Sequence, residues 1–95
     1  MSNLNYYMTM ETKKVLDQVR TLKYEFQALS SKKPNDPLNN FKVKYVNQTL
    51  ADANKVLGAK KPYKEFDHFC DEELPTNSDV LMMLSLYLDK LANYA

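Results

Sequence analysis

A single glycine, Gly58, serves all 95 residues, and the four prolines (Pro34, Pro37, Pro62, Pro75) fall between stretches of regular hydrophobic spacing. Tight two-residue hairpins draw on glycine for positive φ, and phosphate-cradling loops are built from several glycines. A chain this poor in glycine is therefore a weak candidate for a strand-and-turn architecture or a nucleotide fold. Its prolines act as boundaries between helices.

Within those boundaries the apolar residues recur at helical intervals. Val15, Val19, Leu22, Phe26 and Leu29 are spaced 4, 3, 4 and 3 residues apart, which predicts a helix over 9–29 packed along its length. Asp36 before Pro37 has the form of a helix start, a capping carboxylate followed by a residue that needs no N–H. Leu38, Phe41, Tyr45, Val46, Leu50, Ala53 and Leu57 then carry a stripe to Gly58, predicting a second helix over 37–57. A competing signal lies inside it. Phe41-Lys42-Val43-Lys44-Tyr45-Val46 alternates as a half-buried strand would, and residues 4–10 could pair with it in an α+β alternative. Tyr63, Phe66, Phe69 and Leu74 keep helical spacing up to Pro75, predicting a short helix over 62–73. Thr76, Asn77 and Ser78 offer caps for a last helix over 78–94.

The expected fold is thus an all-α, up-and-down bundle in one domain over 1–95, with three long helices, one short helix and the C-terminal helix most buried. That last helix is unusually apolar. Placed at ~100° per residue, Val80, Leu81, Met83, Leu84, Tyr87, Leu88, Leu91, Ala92 and Tyr94 fill a half-circle, wider than a one-sided helix needs. Met82 and Leu86 add a second apolar spot on the polar side, among Asp79, Ser85, Asp89, Lys90 and Asn93. Either the helix is enclosed by its own chain or it meets another one. Met82, Leu86, Tyr87 and Tyr94 are accordingly the candidate partner-binding residues.

The charges are unevenly divided. Residues 1–64 carry 12 Lys/Arg against 5 Asp/Glu, a balance of +7, while residues 65–95 carry 1 against 7, a balance of −6. Folding the halves together would neutralise this polarity, and leaving it exposed would steer a partner. The alternative function is nucleic-acid binding through Lys42, Lys44, Lys60 and Lys61, interleaved with Tyr45 and Tyr63. A net charge of +1 falls short of the usual basic footprint, so nucleic acid is the weaker partner.

No catalytic, metal or cofactor site is expected. His68, Cys70, Asp71 and Glu72 cluster, but one histidine and one cysteine fall short of a structural zinc set, and a calcium loop would need a glycine turn. Cys70 sits among acids that disfavour its thiolate. The lone cysteine excludes an internal disulfide and suits a reducing compartment. The N-terminus has no signal-peptide pattern, and no apolar run approaches the ~20 residues of a membrane span. The expectation is a non-enzymatic, cytoplasmic interaction module, possible as a homodimer, that self-associates or docks through its C-terminal helix.

Overall fold

The computed structural model describes residues 10–94, with side chains for 10–93. Three α-helices account for most of it: α1 (Met10–Lys32), α2 (Asn40–Leu57) and α3 (Asn77–Tyr94), with a single 3-10 turn at Gly58–Lys60. The fold is all-α. The alternating segment 41–46 lies inside α2, and residues 4–9 of its suggested strand partner are outside the described residues.

α1 runs three residues beyond the expected end, to Lys32, because Ser30 and Ser31 do not break a helix by themselves. Pro34 does so, by excluding the helical conformation at the residue before it. Asn39, not Asp36, caps α2, its side chain accepting from the Lys42 N–H at 2.8 Å. Residues 36–38 are held extended by a neighbour the sequence pattern does not show. Leu38 N–H donates to Pro75 O (2.9 Å), Asn77 N–H to Asp36 O (3.0 Å), and the Asn77 amide to Lys33 O (2.8 Å). α3 opens with a reciprocal cap: Asp79 N–H donates to Thr76 Oγ1 at 3.2 Å, and Thr76 N–H to the Asp79 carboxylate at 3.0 Å.

These contacts set the directions. α3 begins where α1 ends and α2 begins, so α2 and α3 run parallel to each other and antiparallel to α1. The chain must then return along the whole of α2 before α3 can start. The expected helix at 62–73 does not form. Eighteen residues of α2 span about 27 Å, whereas a 12-residue helix would cover only about 18 Å. Residues 61–76 instead run as an irregular strap, which completes the up-and-down path without a fourth helix.

The core is made by the three helices and Leu38. Val15, Val19, Leu22 and Phe26 of α1, Val43, Val46, Leu50, Ala53 and Leu57 of α2, and Val80, Met83, Leu84, Tyr87 and Leu91 of α3 are buried. Tyr87 is the largest fully buried side chain. The strap adds buried Pro75 and, at the edge, partly buried Phe66, Phe69 and Leu74, with the two rings meeting edge-on at 4.9 Å.

Phe41 and Tyr45 correct the expected stripe, being 78% and 56% exposed while Val43 is fully buried. Residues two apart on a helix point about 200° apart, so a strand-like alternation wound into a helix must turn one set outward. Leu29, expected in the α1 seam, is likewise exposed, at 36%.

Gly58 closes α2 with φ 57° and ψ −123°, its N–H bonded to Asn54 O. Nothing lies within 4 Å of where a Cβ would stand, so only backbone strain opposes a side chain there. Gly58→Ala is expected to lower stability by about 1–2 kcal/mol, seen as a lower urea midpoint with unchanged slope.

Candidate interaction surface

α3 separates its residues into two faces. Val80, Leu84, Tyr87 and Leu91 are wholly inaccessible and Met83 nearly so; Leu81 and Leu88 pack against the edge of that core. On the far side Met82 is 59% and Leu86 42% exposed, one turn apart. Asp79, Asp89 and Asn93, all exposed, surround them, and Asn93 is steadied by donating its amide to Asp89 O at 2.8 Å. Among the described residues nothing encloses these two side chains. α3 packs through its other face, chiefly on α1, and the strap over 61–76 leaves Met82 and Leu86 open.

The remaining candidate residues are placed differently. Tyr87 belongs to the core: its hydroxyl donates to Asn54 Oδ1 at 2.6 Å, so it does not face a partner. Burial raises its pKa above the ordinary tyrosine range, against the opposing effect of the Asn54 bond. The backbone of Tyr94 ends α3, and its side chain lies outside the described residues.

The four lysines of the nucleic-acid alternative do not share a surface. Lys42 and Lys44 are exposed in the first two turns of α2, whereas Lys60 and Lys61 lie past its other end, about 27 Å along the axis. Lys61 turns inward, donating to Phe66 O at 3.2 Å and pairing with the Asp67 carboxylate. The hydrogen bond from Lys61, reinforced by its charge, holds Asp67 below its usual pKa. That pairing is complete at neutral pH and is lost only as pH falls through the lowered value.

His68, Cys70, Asp71 and Glu72 are exposed along the strap. Among the described residues no three His, Cys, Asp or Glu side chains converge as metal ligands. No helix among them is long and apolar enough to cross a membrane.

Two features escaped the periodicity. One is a polar clamp that holds the strap. The Asn47 amide donates to Phe69 O (2.9 Å) while its oxygen accepts from Phe69 N–H (2.8 Å), and Asn54 donates to Asp67 O (3.0 Å). Asn47 and Asn54 are seven residues apart and so share a helix face, which was a readable hint. The other is the exposed pair Phe41 and Tyr45, one turn apart on α2.

Lys61–Asp67 is an ion pair that crosses from the basic to the acidic part of the chain; Arg20–Asp17 stays within the basic part. Glu65, Asp71, Glu72 and Glu73 all remain exposed on the strap. Compared with protein-family models, with curated proteins and with solved structures, the chain matches none.

Proposed function

We propose that this chain is a non-enzymatic protein–protein interaction module that docks through the outer face of α3. The observation that carries the reading is the Met82–Leu86 pair, half-exposed on the side of α3 away from a core already filled by its other face. Single exposed apolar residues are ordinary, but a stacked pair forms a continuous seam for an apolar partner surface. Asp79 and Asp89 beside it supply orientation and on-rate, and burial of the two side chains supplies affinity. A reducing, cytoplasmic setting suits the exposed thiol of Cys70.

Met82→Lys combined with Leu86→Lys tests this directly. Both positions are at the surface, so stability is expected to stay within about 0.5 kcal/mol per site. Assembly and capture of a photo-crosslinked partner through position 82 are expected to vanish. The same crosslinker at exposed Gln27 on α1 serves as the control. A folded double variant with unchanged assembly state and unchanged capture would sink the reading.

A further inference from the structure

A surface complementary to that of α3 is present on the chain itself. Two helices each expose one apolar pair at one-turn spacing, Met82 with Leu86 on α3 and Phe41 with Tyr45 on α2. The surroundings are opposite in sign. Asp79 and Asp89 flank the first pair, with Lys90 the one base on α3; Lys42 and Lys44 flank the second on either side. Each pair presents a seam about 5–6 Å long, so the two match in length.

The charges near Phe41 and Tyr45 are also unfavourable for their own helix. α2 has no acidic residue in its first turn, and Lys42 and Lys44 stand close to its positive end. Cations there oppose the helix dipole, and a neighbouring carboxylate would relieve both the dipole and the lysines. α3 ends with no basic residue in its last turn, and Asp89 precedes that turn. A basic surface set against it brings the charge that α3 lacks. The larger division of the chain, +7 in residues 1–64 and −6 in residues 65–95, has the same polarity.

We propose that copies of this chain associate head to tail, the Phe41–Tyr45 surface of one seated on the Met82–Leu86 surface of the next. This rests on the reading of α3 as the docking face and names what docks there. Because the two surfaces differ, the contact is heterologous, and every pair retains one free surface of each kind. Growth continues past the dimer unless a ring closes. The contact is small and charge-assisted, so it is concentration-dependent and weakened by salt.

Light scattering after size exclusion, over a concentration series at two salt levels, reads this out. The wild-type mass is expected to start at 11.1 kDa and climb with concentration beyond twice that value, less steeply in high salt. Met82→Lys with Leu86→Lys, and separately Phe41→Lys with Tyr45→Lys, are each expected to remain monomeric while keeping helical circular dichroism. Mixed in equal amounts, these two variants are expected to form a 1:1 dimer and nothing larger, since each retains the surface the other lost. Lys42→Glu with Lys44→Glu, which leaves every apolar contact in place, is expected to weaken wild-type assembly at least tenfold.

A wild-type chain monomeric at every concentration overturns the proposal, as does a mixture that stays monomeric. If the Phe41/Tyr45 variant assembles like wild type while the Met82/Leu86 variant does not, head-to-tail pairing is wrong and α3 docking stands. Wild-type assembly by the Met82/Leu86 variant removes both.

Discussion

Tyr87→Ala is expected to cost about 3–5 kcal/mol, about a fifth or more of the roughly 5–14 kcal/mol available to a chain of this length. Tyr87 is the largest fully buried side chain and touches the centre of the bundle from α3, so its removal leaves a cavity that three helices line. Tyr87→Phe separates packing from polarity. It keeps the ring and deletes the hydroxyl that donates to Asn54 Oδ1, leaving that part-buried oxygen without its donor. The expected loss is about 1–3 kcal/mol, or roughly 5–20 °C in melting temperature. The comparison also depends on pH. Burial raises the folded-state pKa of Tyr87, so its contribution is complete below the ordinary tyrosine value near 10 and fades as pH rises through the raised one. The gap in urea midpoint between wild type and Tyr87→Phe is therefore expected to shrink between pH 8 and pH 11.

Asn47→Ala is expected to release the strap while sparing the core. Pro75, at the far end of the strap, is buried and tied to Leu38, while the middle of the strap is held by Asn47, Asn54, Lys61 and the partly buried aromatic edge. Removing the Asn47 amide leaves both polar groups of the Phe69 backbone without their partner. The expected loss is about 1–3 kcal/mol. Hydrogen exchange at the Phe69 amide should rise about 10- to 100-fold, with amides of Leu50 and Leu84 changing far less. Exchange at Phe69 that keeps pace with the core amides would show that strap and bundle open together. Asn47→Asp adds a check on geometry. The carboxylate still accepts from Phe69 N–H but sets a second oxygen against Phe69 O. Ionisation is thereby disfavoured in the folded state, so relative to Asn47→Ala this variant should fare better at pH 4 than at pH 7.

The fold class was legible because helical periodicity is a local property repeated many times over. Val15, Val19, Leu22 and Phe26 announced α1, and Val46, Leu50, Ala53 and Leu57 announced most of α2. Met82 and Leu86 are legible as outliers from the main stripe of α3. Phe41 and Tyr45 carry the spacing of the α2 stripe, yet a helix cannot bury them together with Val43.

Composition and spacing alone therefore determined that this chain makes helices, roughly where its prolines divide them, and that α3 carries more apolar surface than one face needs. Tertiary structure decided the rest. Whether residues 62–73 coil depended on the distance between the end of α2 and the start of α3, a length that no local pattern encodes. Which apolar residues face solvent depended on where three helices meet, and whether opposite charges pair depended on the path of the strap. These are relations between segments far apart in the chain, and only packing brings them together.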